Sequence, residues 1–347
     1  MTFTRRPAIL GSAAFVMAAN AGALGGSASA QAQQPPTPAA AQASTGAPPD
    51  LGHYLAHSGI ATFWRLDHTR DLQGADIAVM GVPFDGGVSN RPGARFGARA
   101  IRDMSLHAGN FHHPWSYDLT KKRRLIDYGD VGAGMQTDLA NFMIAETNKH
   151  ARMVFGAGAK LLTLGGDHTI PYGPVRAAKE KFGPISLIHF DSHQDSLSSS
   201  GGKAIFHGSF AADLAEEGSI NAARSAQVFI RTDMPNDHGY NIIGAREALK
   251  MQPDELAARI KAIVGNNPAY ITFDVDALDP AYAPGTGTPV VGGPTTYFVR
   301  EVFQHLVGIN VVGADVVETL PAMDPAGVTA LAAATVAIDL LYLMDAR

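Results

Sequence analysis

Ile185-Ser186-Leu187-Ile188-His189-Phe190-Asp191-Ser192-His193-Gln194-Asp195 begins as a mostly apolar run and ends with three metal-binding side chains at every second position. A continuous apolar run, rather than an alternating one, reads as a strand buried on both faces of a parallel sheet. Alternate residues of a strand share a face, so this reading places Asp191, His193 and Asp195 on one ledge. Carboxylate, imidazole, carboxylate is a donor set for a hard-to-borderline divalent cation, not a packing pattern.

The rest of the chain repeats the theme. Further strands are predicted over 77–82, 125–128, 160–164, 227–230, 270–273 and 311–317, with 185–190 among them. Helices are predicted over 94–107, 138–156, 173–181, 210–217, 254–264 and 296–306, and a last one over 326–344 closes the chain. Strand–helix alternation of this length predicts one α/β domain over 50–347, with helices layered on a mostly parallel sheet. Ligands of such sheets bind beyond the carboxyl ends of the strands. Three strands deliver metal-type residues there: 160–164 runs into Gly165-Gly166-Asp167-His168-Thr169, 185–190 into Asp191, and 270–273 into Asp274-Val275-Asp276.

Composition narrows the function classes. The chain has 347 residues, 46% of them hydrophobic and 17% charged, which describes a well-filled core rather than disorder. A net charge of -5 with no basic stripe gives no sign of nucleic-acid binding, and Lys121-Lys122-Arg123-Arg124 reads as a solvated loop. There is no cysteine, which excludes thiolate metal sites, disulfides and a cysteine nucleophile. Any metal is therefore held by histidine and carboxylates.

The first thirty residues read as an export signal. Arg5-Arg6 precedes a stretch without Asp, Glu, Lys or Arg up to Asp50, and Ala28-Ser29-Ala30 offers small residues for cleavage. The paired arginines resemble a twin-arginine signal, with an ordinary secretory signal or an uncleaved anchor as alternatives. Residues 31–49, rich in Pro, Ala, Gln and Ser, read as a flexible linker. The resulting expectation is a protein exported to a bacterial periplasm and not stably inserted in a membrane.

The candidate ligands number six: His168, Asp191, His193, Asp195, Asp274 and Asp276. One tetrahedral catalytic zinc uses three protein ligands and a water, so six point to two ions if two carboxylates bridge. Carboxylate-dominated ligation suits manganese better than zinc. A paired site of this kind activates a shared water at neutral pH. Taken singly, each piece has a plainer reading: a histidine after Gly-Gly-Asp as a core or capping residue, and Asp-x-Asp after a strand as a turn.

Gly165-Gly166-Asp167-His168-Thr169, Asp191-Ser192-His193-Gln194-Asp195 and Thr272-Phe273-Asp274-Val275-Asp276-Ala277-Leu278-Asp279-Pro280 resemble the three signatures of the ureohydrolases, the arginase and agmatinase family. The third continues through Ala283-Pro284-Gly285-Thr286-Gly287-Thr288-Pro289 to Gly292-Gly293, and the resemblance spans about residues 55 to 345. It implies a three-layer α/β/α sandwich on a sheet of about eight strands, assembled as a homo-oligomer, a trimer or hexamer. It also implies two Mn²⁺ ions per subunit, with nickel as an alternative, held by those six residues with Asp191 and Asp274 as bridges. His207, in His207-Gly208-Ser209, resembles the histidine that shuttles protons at the pocket mouth. Glu318, in Asp315-Val316-Val317-Glu318, resembles the carboxylate that grips a substrate guanidinium. Without the resemblance, His207 reads as a surface residue and Glu318 as a solvated strand end. The implied reaction is hydrolysis of a small cationic guanidino compound to urea and an amine, with His207 protonating the departing amine.

Within the family, Gly81-Val82-Pro83-Phe84-Asp85-Gly86-Gly87, Arg91-Pro92-Gly93-Ala94-Arg95-Phe96-Gly97-Ala98-Arg99-Ala100-Ile101-Arg102 and Asp127-Tyr128-Gly129-Asp130-Val131 resemble the agmatinase branch. Residues 196–203 do not resemble the arginase loop that grips the amino-acid end of arginine, so arginine ranks below agmatine. One departure stands out: Ile230-Arg231-Thr232-Asp233 replaces the expected Gly-x-Arg-Gly sequence. Lys203 or Arg231 could then meet a carboxylate, which keeps guanidinobutyrate as the runner-up substrate. Two rivals remain at this stage: a zinc-dependent deacetylase of the same fold, which needs fewer ligands, and an exported metal- or solute-binding protein without catalysis.

Overall fold

The computed structural model describes residues 55–346 except 111, 133, 136 and 202; the expected export signal and linker lie outside the described residues. Nine strands pair in parallel: β1 (Asp67–His68), β2 (Ile77–Gly81), β3 (Leu125–Asp130), β4 (Lys160–Leu164), β5 (Ser186–Phe190), β6 (Ala226–Ile230), β7 (Asn241–Gly244), β8 (Ala269–Asp274) and β9 (Val311–Val317). Their order across the sheet is β1-β3-β2-β4-β9-β8-β5-β6-β7. The seven predicted strands are all present, with ends shifted by up to two residues. The two strands beyond those seven, which bring the sheet to nine against the implied eight or so, lie at opposite edges and are short. β1 is exposed and β7 mostly half-buried, so neither carries an apolar run.

Every residue of β2, β5, β6, β8 and β9 is buried, because helices cover both faces. Alternate strand residues feed two separate cores. Ile77, Val79, Leu162, Leu164, Ile188, Phe190, Ile271 and Phe273 pack with α1 (Gly97–Ser105), α7 (Pro253–Val264), α8 (Thr296–His305) and α9 (Val328–Asp345). Ala78, Met80, Leu161, Leu187 and Tyr270 pack with α3 (Leu139–Gly156), α4 (Tyr172–Phe182) and α5 (Phe210–Glu216). This is the expected three-layer sandwich, produced by the period-2 alternation of a two-sided sheet.

Three local expectations are corrected. The closing helix starts at Val328 rather than 326, because Ala326 and Gly327 take positive φ and the Asp324 carboxylate caps the amides of Thr329 and Ala330 at 2.8 Å. The stretch 94–107 splits into a 3-10 turn, Ala94–Phe96, and α1. Lys121 to Arg124 is not simply a solvated loop. Leu119–Lys122 forms a helical turn (α2), and Lys122 and Arg123 both pair with Asp345 at the end of α9, at 2.7 and 2.6 Å. A last helical turn, Ala245–Ala248 (α6), follows β7. The apolar helix α9 is long enough to cross a bilayer, but 72% of its span is buried in this fold.

The strand order places the site. β4, β9, β8 and β5 are adjacent and central, yet the chain passes directly from β4 to β5 and fills the gap later with β8 and β9. Such a reversal leaves a crevice beyond the carboxyl ends of the strands. Phe190 pairs with Phe273 and Asp274 with Val317, so Asp191, Asp274 and Glu318 emerge side by side.

Candidate metal centre and active site

The ends of β4, β5 and β8 each turn through an aspartate that caps its own loop. Asp167 Oδ1 accepts the Thr169 amide at 2.9 Å, Asp191 Oδ1 that of His193 at 2.6 Å, and Asp274 Oδ1 that of Asp276 at 2.7 Å. These Asx turns correct the strand-ledge reading. β5 ends at Phe190, and Asp191, His193 and Asp195 converge because the chain bends there, Asp195 adopting φ +49°. Asp and Asn favour both features, the local side-chain acceptor and the left-handed backbone.

All six candidate ligands come together. The Oδ2 atoms of Asp191, Asp195 and Asp274 lie 3.0, 3.1 and 3.2 Å from His168 Nδ1. His193 Nδ1 lies 3.3 Å from Asp191 Oδ1 and 3.2 Å from Asp276 Oδ2. Asp191 thus takes part in both groups: His168, His189, Asp191 and Asp195 on one side, Asp191, His193 and Asp276 on the other. Two clusters sharing one carboxylate fit the two-ion arrangement.

The donor chemistry asks for cations. Thr272 Oγ1 donates to Asp315 Oδ1 at 2.5 Å, so it accepts from His168 Nε2–H at 2.8 Å. With Nε2 committed to Thr272, His168 Nδ1 is buried without a hydrogen-bond partner among the described residues and faces three carboxylate oxygens. Burial holds His168 towards its neutral form while those carboxylates pull its pKa well above the usual value. We assign a lone pair to Nδ1 on the geometry, since a bare lone pair among carboxylates is a cation ligand. Burial first, then the neighbouring carboxylates, push Asp274 and Asp276 up, which is the mutual repulsion a bound cation removes.

Sequence reasoning missed the residues behind these ligands. His189 is fully buried; Gln227 Nε2 donates to its Nδ1 at 3.0 Å and to the Gln194 carbonyl at 2.6 Å, so His189 Nε2–H donates to Asp191 Oδ2 at 2.7 Å. The signal was present, since His189 extends the Asp191, His193, Asp195 spacing back by one step. Asp315, buried in the sheet centre, backs His168 through Thr272, and burial raises its pKa to about 6. Removing such a supporting group usually costs about 10–100-fold in metal affinity or activity. His189→Phe should therefore weaken metal binding by about that factor, measured by competition with a chelator; unchanged affinity would show that Asp191 needs no partner.

Glu318 is 1% exposed, with φ +63°, and far from a solvated strand end. Its Oε1 accepts the His168 amide and a hydrogen bond from His207 Nδ1, both at 2.9 Å, while Oε2 is buried with no hydrogen-bond partner among the described residues. His207 is also buried rather than a surface residue. Burial lowers its pKa, but Glu318 outweighs that and lifts it to about 9. A pocket of about 200 Å³ adjoins these groups, lined by polar Ser89, His193, Asp195, His207 and Asp274 and by apolar Leu197, Phe206 and Met234.

The two cations considered for the substrate tail are not in position. Arg231 spends its guanidinium on the carbonyls of Phe229, Asp276, Ala277, Leu278 and Val290, at 2.6 to 3.2 Å, tying the loop after β8 in place. Lys203 is exposed and does not line the pocket.

The arginase family model matches residues 75–342. An agmatinase of Chromobacterium violaceum is 40% identical over 83% of this chain and 89% of its own length; one of Cronobacter sakazakii is 39% identical over 79% and 89%. Among solved structures, a hypothetical agmatinase from Burkholderia thailandensis superposes with a TM-score of 0.80 at 40% identity, covering 83% of this chain and 91% of that one. The proclavaminate amidino hydrolase of Streptomyces clavuligerus gives 0.78 at 32%, covering 83% and 98%. The family match spans β2 to β9, the six clustered histidine and aspartate residues and the Glu318–His207 pair alike, and the chain belongs to the arginase family.

Proposed function

We propose that this protein is an agmatinase, hydrolysing agmatine to putrescine and urea on a pair of manganese ions held by His168, Asp191, His193, Asp195, Asp274 and Asp276. One observation carries the guanidinium reading: Glu318 presents an unpaired, fully buried carboxylate oxygen beside the ligand cluster. A buried unpaired carboxylate oxygen is costly, and a planar cation with several N–H groups satisfies it. Gly287 leaves the room, since a Cβ there would come within 3.4 Å of Oε2.

Cations held by these six residues would supply an activated water at neutral pH and positive charge to offset the charge developing on the substrate. The side chains do the rest. Glu318 orients the guanidinium by charge-assisted hydrogen bonds, presenting its flat carbon to attack. His207, held by Glu318 at Nδ1, delivers a proton to the departing amine. Leu197, Phe206 and Met234 offer apolar surface to the methylene chain. Agmatine is favoured over guanidinobutyrate because, among the described residues, no lysine or arginine lines the pocket to meet a carboxylate. Homo-oligomerisation is part of the proposal, supported by a surface pocket lined by Tyr282, Val328 and Leu331, all three exposed.

Urea release from the manganese-loaded protein with agmatine, guanidinobutyrate, guanidinopropionate, arginine and guanidine tests this. Agmatine should give the highest kcat/KM. Turnover of guanidinobutyrate with agmatine inert would overturn the substrate assignment and favour the runner-up. No urea from any of the five would favour a binding protein.

A further inference from the structure

Among the described residues, the His207 ring has three hydrogen-bonding partners. Glu318 Oε1 lies on Nδ1 at 2.9 Å, while the Ser89 amide and hydroxyl lie on Nε2 at 3.1 and 2.7 Å. The carboxylate only accepts, so Nδ1 carries a proton. The Ser89 amide only donates, so Nε2 is a lone pair in this state. Glu318 faces Nδ1 and the Ser89 amide has no lone pair to offer, so neither can take a proton from Nε2. The Ser89 hydroxyl can, because it both donates and accepts.

Exposure points the same way. His207 is 8% and Glu318 1% exposed, whereas Ser89 is exposed and lines the pocket. We propose that Ser89 is a further catalytic residue, its hydroxyl passing the proton from His207 Nε2 to the departing amine. The step balances without a co-reactant. The ring first takes a proton at Nε2 from the water that adds to the guanidinium carbon. The Ser89 O–H proton then goes to the amine as the C–N bond breaks and the Nε2 proton replaces it, leaving neutral serine and a neutral imidazole whose Nε2 is again a lone pair. The Ser89 amide, pointing at Nε2, disfavours a lingering proton there and helps hand it on.

The loop that carries Ser89 is fixed at several points. Gly87 N–H donates to Asp167 Oδ2 at 2.7 Å, and the Gly87 carbonyl accepts the His207 amide at 3.0 Å. Gly93 N–H donates to Asp85 Oδ2 at 2.8 Å, and Asn90 Nδ2 to the Gly287 carbonyl at 2.9 Å. Gly87 is required here, since a Cβ would fall 2.2 Å from Thr169 Oγ1. Serine, histidine and carboxylate in this order also describe an acyl-transfer triad. In that role the Ser89 hydroxyl would attack a carbonyl, and here its own amide is committed to the ring instead.

The inference rests on the proposed hydrolysis, with His207 as proton donor. Its test compares the manganese-loaded wild type with Ser89→Ala and Ser89→Thr for kcat, KM, metal content, melting temperature and proton inventory in mixed H₂O and D₂O. Ser89→Ala should lose about 10–100-fold in kcat, with KM within about twofold, and its proton inventory should change from two protons in flight to one. Ser89→Thr, which keeps the hydroxyl, should recover most of the rate. Wild-type kcat and inventory in Ser89→Ala would overturn the proposal. So would equal losses in both variants with lower metal content or melting temperature, which mark a structural role. Labelling of Ser89 by a fluorophosphonate would assign a nucleophile and overturn the relay. Absence of urea from the unsubstituted protein overturns the parent reading, and is told apart because no substitution is needed to see it.

Discussion

Asp274→Asn is expected to lower urea production by at least about 10³-fold while leaving the fold intact, since a metal-held charge in the transition state is worth several kcal/mol. The fold survives because the asparagine oxygen can still cap the Asp276 amide, the bond that Asp274 Oδ1 makes at 2.7 Å. What is lost is a negative oxygen 3.2 Å from His168 Nδ1. In the metal-free protein Asp274 is held well above the ordinary carboxylate range by burial and by the Asp276 and Asp191 carboxylates. The substitution removes that repulsion, so the chelated variant should melt no lower than the chelated wild type. The rise in melting temperature on adding Mn²⁺ should shrink, because that rise follows metal affinity. Thermal scans with and without Mn²⁺ check the pair of statements. A variant that keeps both activity and the metal-dependent rise would remove Asp274 from the ligand set.

Glu318→Gln should be nearly as damaging for a different reason. Hydrogen bonds to charged groups contribute about 1.5–3 kcal/mol each, so losing the charge towards two guanidinium N–H groups amounts to about 10²–10⁴-fold in kcat/KM. Glutamine can still accept the His168 amide at Oε1, so this side-chain link from the end of β9 to the loop after β4 is kept. Metal content should therefore stay at the wild-type level. Steady-state kinetics together with metal analysis separate the two effects. A loss of activity that tracks a loss of metal would make Glu318 a scaffold residue instead.

Much of this was legible in the sequence, for identifiable reasons. Buried parallel strands need continuous apolar runs, so the seven interior strands announce themselves, while Asp67–His68 and Asn241–Gly244 at the edges do not. The six ligands were legible as residue types at strand ends, although strand alternation was the wrong reason for their convergence. Asx turns and the positive φ of Asp195 bring them together. Tertiary partnerships were the hidden part. Nothing in the order of residues shows that Gln227 reaches His189 from 38 positions away, or that Arg231 is consumed by five carbonyls. Ser89 falls between the two stretches that carried the resemblance, and only the fold brings it to His207, 118 positions on.

Guanidino hydrolysis by this protein is proposed to need paired cations together with Glu318. Titration of Mn²⁺ into the chelated protein, with urea from agmatine measured at each addition, is the decisive measurement. No urea is expected without metal, and the rise should level off at two equivalents per chain. Activity in the chelated protein, or saturation at a single equivalent, would contradict the proposal.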